Sequence, residues 1–248
     1  MHNKIMRHTL AAITLFSVTT SYAQSLPTHE ALQSALKKVV ADKNGGFGLN
    51  MWATVVDRDG VVKTVVFSGN DRGDQWPGSR AISAQKANTA NAFSLPGLSL
   101  STANLFTAVQ PGGNLYGLQH SNPVDTGVAY GGKSAAIGTK KDPMVGKKIG
   151  GVNVFGGGLA LYDKSGTLLG AIGVSGDSSG ADHNIAWKVR HALELDYIPG
   201  GVSPTGDDNI VYDITDGKSK GDWGHPVTAP EAVTIAEALP KNHPVRKK

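Results

Sequence analysis

The sequence has no cysteine, so disulfide bonds, thiolate metal sites and cysteine nucleophiles are all excluded. It also lacks a large excess of either charge, with 24 Lys and Arg residues against 20 Asp and Glu residues. No basic stripe alternates with aromatic residues, and the sequence therefore does not indicate a nucleic-acid-binding protein. With 248 residues, the chain is long enough to derive its stability from one ordinary hydrophobic core.

The beginning of the chain has the three parts of a secretory signal peptide in the usual order. Lys4 and Arg7 supply positive charge, residues 10–18 are apolar, and residues 21–23 include the small side chains that a signal peptidase reads. The apolar part is too short to act as a stable membrane anchor. We therefore expect residues 1–23 to be a signal peptide that is cleaved near Ala23, which leaves a periplasmic or secreted protein.

Apolar periodicity and turn residues predict a mixed α/β protein after the signal peptide. The predicted helices cover residues 27–42, 79–93, 102–109 and 179–195, and the predicted strands cover residues 51–56, 61–67, 159–162, 167–174 and 210–214. The first four strands form two hairpins, and each hairpin precedes a helix. This order is typical of a central antiparallel sheet with helices packed against it.

The chain after the signal peptide divides into two parts. Residues 24–198 form the predicted domain, in which residues 110–158 are a long irregular loop rich in Gly, Pro and Asn. An irregular segment of this length in a compact domain usually has a function or is mobile. Residues 199–248 form a C-terminal extension with glycine and proline breaks, and its basic last residues are typical of a solvated tail.

One strand, turn and helix in succession indicate a ligand site. Gly173 and Gly176 end an apolar strand and permit a close backbone approach or a positive φ angle. Ser178 or Ser179 can cap the following helix, whose first turn carries Asp182, a favourable place for a negative charge. We therefore expect a ligand to bind at this glycine turn.

Three blocks together resemble a known family. Residues 79–90, residues 150–154 and residues 170–176 with Asp182 occur in the order found in the GlcG/HbpS-type haem-binding (haem-degrading) family. The resemblance implies a profilin-like or PAS-like fold with a central antiparallel sheet, assembly into homo-oligomers, and haem as ligand. A corrinoid is the alternative ligand that it implies. The long loop and the C-terminal extension depart from the family pattern, and the family supplies no axial iron ligand that matches residue by residue.

A haem site needs an iron ligand, apolar walls and a cation for the propionates. His183, Trp187 and Arg190 lie at positions i, i+4 and i+7 of the last predicted helix of the domain, so they share one face. An imidazole, a flat aromatic ring and a guanidinium on one face suit a tetrapyrrole, with His183 as metal ligand. The alternative is that Trp187 packs in the core, Arg190 is solvated and His183 orders the preceding loop.

Further candidates lie outside that helix. His120, as a second candidate metal ligand, and Tyr116 lie in the long loop, where ligand-binding residues are common, although an exposed turn is the alternative. His225 is a third histidine candidate. Arg80 and Lys86 are candidate partners for a propionate or a substrate carboxylate, and solvated side chains are the alternative for both.

The sequence thus predicts an exported protein that binds haem or a related tetrapyrrole for sequestration, delivery or redox sensing. Slow haem degradation is compatible with this hypothesis, because iron and oxygen would supply the chemistry. No dedicated acid–base pair in the sequence demands an enzyme. Two alternatives stay open: an accessory enzyme or subunit that binds a small organic acid through Arg80 and the glycine turn, and a ligand-free oligomeric interaction module whose loop and tail wrap a neighbouring subunit.

Overall fold

The computed structural model describes residues 25–247, and the predicted signal peptide lies outside these residues. The regular elements are α1 (His29–Val40), β1 (Trp52–Asp57), β2 (Val62–Phe67), α2 (Ser79–Phe93), α3 (Leu118–Ser121), α4 (Thr126–Tyr130), β3 (Gly158–Tyr162), β4 (Leu168–Ser175), α5 (Ser179–Ala192), β5 (Ile214–Thr215), β6 (Lys218–Ser219) and α6 (Pro230–Asn242). Short 3-10 helices cover Thr102–Leu105, Thr107–Val109 and Ser134–Ala136. Within residues 25–247, no helix combines the length and the apolar character that a membrane crossing requires.

The first four strands form one sheet in the order β2-β1-β4-β3, and every neighbouring pair is antiparallel. Side chains alternate between the two faces of a strand. Val55 and Ile172 therefore face α1 and α5, whereas Val56 and Ala171 face α2. The structure confirms the predicted fold class, a central antiparallel sheet flanked by helices.

The sequence predicted the elements of this sheet closely and the C-terminal extension poorly. Helix α2 has the predicted bounds, and the four sheet strands differ from prediction by one residue at each displaced end. The predicted strand at 210–214 is wrong, because only Ile214 of that stretch belongs to a strand, the short β5. The last part of the chain is not extended, since α6 begins with Pro230 at its first turn and buries Ala232, Ala236 and Leu239.

The long loop packs on the domain at several points. Met144 and Ile149 are fully buried in the same core cluster as α2. The backbone N–H of Val62 in β2 donates to the carbonyl oxygen of Lys147 at 2.9 Å. Although the loop holds only short helices, these contacts fix its last third against the sheet.

The C-terminal extension also packs on its own chain. Asp208 and His225 are fully buried, and α6 lies against α5. Buried side chains of the described extension contact the domain of the same chain. The alternative of a tail that wraps a neighbouring subunit stays a prediction.

Candidate functional site

The glycine turn at the start of α5 is tightly packed. Ser178 is the helix cap, as one of the two predicted options, and its hydroxyl accepts a hydrogen bond from the N–H of Ala181. A Cβ atom at Gly173 would lie 1.9 Å from the carbonyl oxygen of Ser83, and one at Gly176 would lie 2.6 Å from that of Asn50. The chain's own backbone therefore occupies the space that these glycines leave. The predicted contact of these two glycines with a ligand stays a prediction.

His183, Trp187 and Arg190 do share one face of α5, as their spacing predicted. The Arg190 guanidinium lies 5.0 Å from the centroid of the Trp187 ring, and the His183 and Trp187 rings are 6.3 Å apart. All three side chains are buried, so the alternative of a solvated Arg190 is wrong. Trp187 packs in the core cluster between the sheet and α1, which is the alternative given for it above.

Residues of the C-terminal extension cover the polar groups of this face. Arg190 donates to both carboxylate oxygens of Asp208, at 2.6 and 2.7 Å. The Nε2 atom of His183 lies 3.1 Å from the Oδ1 atom of Asn209 and 3.1 Å from the N atom of Ile210. Burial lowers the pKa of His183 to about 3, which keeps the imidazole neutral. The predicted tetrapyrrole role of this face stays a prediction. Its groups are buried, and among the described residues only the Nδ1 atom of His183 and the Nε atom of Arg190 on this face have no hydrogen-bond partner.

The other histidine and tyrosine candidates differ in their exposure to solvent. His120 is exposed on α3, and Tyr116 is 64% exposed just before that helix. His225 is fully buried, and its Nε2 atom accepts a hydrogen bond from the N–H of Gly156 at 3.3 Å. Burial lowers the pKa of His225 to about 4. The structure does not bring these three residues into one site.

Lys86 forms a buried ion pair rather than a solvated contact. Its Nζ atom lies 2.7 Å from the Oδ2 atom of Asp182 and donates to the carbonyl oxygen of Val174 at 3.2 Å. Burial raises the pKa of Asp182 to about 6, although the positive charge of Lys86 acts in the opposite direction. The pair joins α2 to α5, and the charge of Lys86 is used inside the protein.

Arg80 lines a cavity of about 390 Å³. Its Nε atom donates to the Oδ2 atom of Asp142 at 2.9 Å, its Nη2 atom pairs with Oδ1, and its Nη1 atom donates to the carbonyl oxygen of Ala129 at 2.8 Å. These bonds use three of the five N–H donors of a guanidinium. The cavity, here called the arginine cavity, is lined by Trp52, Asp71, Arg72, Gly73, Pro77, Arg80, Ala129, Tyr130 and Ile137.

An unpartnered donor lies in the wall of the arginine cavity. Trp52 is 1% exposed, and its indole Nε1 atom has no hydrogen-bond partner among the residues that the structure describes. The ring packs edge-on against Phe67, with centroids 5.3 Å apart. A buried N–H without a partner costs about 1–3 kcal/mol.

The lining of the arginine cavity fits a haem edge. Trp52, Pro77 and Ile137 give apolar walls, whereas Arg72 is exposed at the rim and can join Arg80 as a cation for carboxylates. Tyr130 is 72% exposed, and a tyrosine oxygen is one of the ligands that proteins offer to haem iron. The cavity volume is at the low end for small-molecule sites. It therefore fits the propionate edge of a tetrapyrrole better than the whole ring.

Sequence reasoning found only Arg80 of this group. Trp52 lies in a predicted strand, Arg72 lies in a polar loop, and Tyr130 lies in the long loop. They come from separate segments with no shared spacing, so only the fold brings them together. Within residues 25–247, no group of three or more His, Cys, Asp and Glu side chains is placed to hold a metal ion.

Comparisons with known proteins agree with the resemblance in the sequence. The chain is similar to a structure of PduOC in complex with haem (26% identity, 68% of this chain and 95% of that chain, TM-score 0.46). It is also similar to Klebsiella pneumoniae protein ORFY (23% identity, 73% and 97%, TM-score 0.45) and to a double mutant of Streptomyces reticuli HbpS (20% identity, 75% and 98%, TM-score 0.43). No curated protein matches the chain. The family model described as haem degrading protein HbpS-like matches residues 28–190, and the chain therefore belongs to the HbpS-like family.

Proposed function

We propose that this protein binds haem or a related tetrapyrrole at the arginine cavity and serves in haem sequestration, delivery or redox sensing after export. The family supports the ligand class. The observation that carries the location is a cavity in which Arg80 and Arg72 lie beside apolar walls.

Each residue of the arginine cavity has a separate part in this proposal. The unused donors of Arg80 bind one propionate, Arg72 binds at the exposed rim, and the Trp52 ring forms part of the apolar wall. Asp142 holds Arg80 in place, because its carboxylate also accepts the N–H groups of Gly138 at 2.7 Å and of Met144 at 2.9 Å. When bound, haem would supply iron for redox chemistry, and the protein would orient the ring.

A haemin titration of the protein from residue 24 onward tests this proposal. We expect a saturable Soret shift that Arg72→Gln weakens, because it removes a cation for the propionates. Tyr130→Phe should change the spectrum of the complex by removing a candidate iron ligand. Tyr116→Phe is the matched control. Tyr116 is 64% exposed, close to the 72% of Tyr130, but it does not line the cavity.

The same titration separates the competing locations. His120→Ala and His183→Ala variants measured beside it would move the site to the long loop or to α5 if either alone abolished the Soret shift. A featureless, non-saturating spectrum would overturn the tetrapyrrole proposal. Thermal stabilisation by a small carboxylate without a Soret shift would instead favour the organic-acid alternative, in which Arg80 and the glycine turn hold the carboxylate.

A further inference from the structure

A second cavity lies where the C-terminal extension meets the domain. Its volume is about 510 Å³. Its walls combine the end of α2, the segment around the first two 3-10 helices and the extension, through Phe93, Leu100, Leu105, Thr107, Ala108, Gly112, Gly113, Asn114, Leu115, Gly221, Asp222 and Trp223. We call it the tryptophan cavity, after Trp223.

Hydrogen bonds fix the two segments that close the tryptophan cavity. The N–H of Leu115 donates to the carbonyl oxygen of Ala108 at 2.9 Å, which closes the loop on itself. The hydroxyl of Thr107 donates to the carbonyl oxygen of Gly224 at 2.7 Å, which ties the extension to that loop. The cavity is therefore built by the fold, and it is not a gap between unconnected segments.

The side chains of the tryptophan cavity select for a particular chemistry. Phe93, Leu105 and Trp223 offer apolar and aromatic surface. Asp222 is the one ionisable side chain among the twelve described lining residues, and no described residue bonds to its carboxylate. Aromatic faces attract cations, and tryptophan attracts them most strongly. A carboxylate beside aromatic rings therefore favours an apolar ligand with an ammonium group over a neutral or anionic one.

We propose that the tryptophan cavity binds an aromatic amine or quaternary ammonium compound, with its apolar part against Phe93 and Leu105 and its positive charge between Trp223 and Asp222. The two cavities then differ in charge preference. The arginine cavity carries the guanidinium groups of Arg72 and Arg80 beside one carboxylate, Asp71, whereas the only ionisable group among the described lining residues of the tryptophan cavity is the carboxylate of Asp222.

Benzyltrimethylammonium is a suitable probe, and the indole N–H signals of the ¹⁵N-labelled protein report its binding. The chain has four tryptophans, and the signal missing in Trp223→Leu identifies Trp223. We expect a saturable shift of that signal in the unmodified protein. Asp222→Asn should weaken the probe about threefold to tenfold, because a partly exposed ion pair contributes about 1 kcal/mol. Phenylacetate should not bind at Trp223.

Asp216→Asn is the matched control. Asp216 and Asp222 are both exposed and both have a positive φ, 51° and 65°, which asparagine adopts as readily as aspartate. Asp216 lies in the β5–β6 turn and does not line the cavity. Equal binding of the cation to the two variants would overturn the proposal. So would the absence of a saturable Trp223 shift up to the solubility limit of the probe, or equal binding of phenylacetate.

This proposal does not depend on the proposed haem site. The indole signal of Trp52, identified with Trp52→Phe, reports the arginine cavity in the same spectra. Haemin or phenylacetate that shifts only the Trp52 signal tests the first site, and benzyltrimethylammonium that shifts only the Trp223 signal tests the second. If the probe for one cavity does not shift its indole signal, the result at the other indole signal is unaffected.

Discussion

The sheet domain and the C-terminal extension are held by different mixtures of apolar and polar contacts. Around the sheet, apolar side chains such as Leu161 and Ile172 pack against α1 and α5. The extension is attached through the apolar face of α6 and through buried polar groups, chiefly Asp208, Asn209 and His225. Apolar packing tolerates many sequences, whereas a buried ion pair requires one partner at one position. Substitutions at the buried polar groups should therefore cost more stability than changes in the apolar packing.

The largest expected effect is the loss of the buried partner of Arg190. Asp208→Ala would leave the guanidinium fully buried and uncompensated, since both side chains are 0% exposed. Breaking such a pair costs about 3–5 kcal/mol. The free energy of unfolding, measured in urea, should fall by that amount.

The double variant Arg190→Met, Asp208→Leu separates the charge effect from lost packing. Because no uncompensated charge stays buried, we expect it to recover most of the stability that Asp208→Ala loses. A double variant as unstable as the single one would mean that the extension is held by shape rather than by the ion pair.

The next effect is a loss of stability in acid that comes from the junction of the two regions. The pKa values of His183 and His225 are about 3 and about 4 in the folded protein, below the ordinary 6.5. Below pH 6.5 the unfolded chain binds these protons and the folded protein does not, so stability falls as the pH drops towards 4. Asp182, with its pKa raised to about 6, acts in the opposite direction between pH 6 and 3.8.

The net loss between pH 7 and pH 5 should be about 2–3 kcal/mol from these three groups. Urea unfolding at each pH measures it. His225→Gln should reduce the loss, whereas His120→Gln should not change it, because His120 is exposed. A pH dependence that is the same in both variants would contradict the assignment to His225.

The smallest expected effect lies in the sheet domain, at the cap of α5. Ser178→Ala removes the acceptor for the N–H of Ala181 and should lower the free energy of unfolding by about 1 kcal/mol. Ser179→Ala is the control, because Ser179 is the first helical residue and not the cap. Equal losses in the two variants would show that the cap bond contributes little.

The sequence predicted the structural features that depend on the periodic spacing of its residues. The bounds of α2 and the shared face of His183, Trp187 and Arg190 follow from repeats of two and of 3.6 residues, which short-range sterics and burial impose. Pro230 and the spacing of Ala232, Ala236 and Leu239 also carried a signal for α6. The glycine and proline breaks of the extension obscure that signal.

The features that the sequence did not predict depend on contacts between segments far apart in the chain. Asp208 reaches Arg190 through an irregular stretch, and no local pattern specifies that pairing. The arginine cavity likewise combines Trp52, Arg80 and Tyr130 from separate elements. Such sites require the register of the whole sheet and the path of the long loop, neither of which a single sequence fixes locally.

The end of the long loop has a consequence for aggregation. Strand β2 is an edge strand with the sequence VKTVVF, and an apolar edge of this kind readily pairs with another chain. The backbone N–H and C=O of Val62 are already bonded to Lys147 and Gly146, at 2.9 and 2.8 Å. The loop thus occupies the backbone hydrogen-bonding groups at the start of this edge strand, so that another chain cannot pair with them.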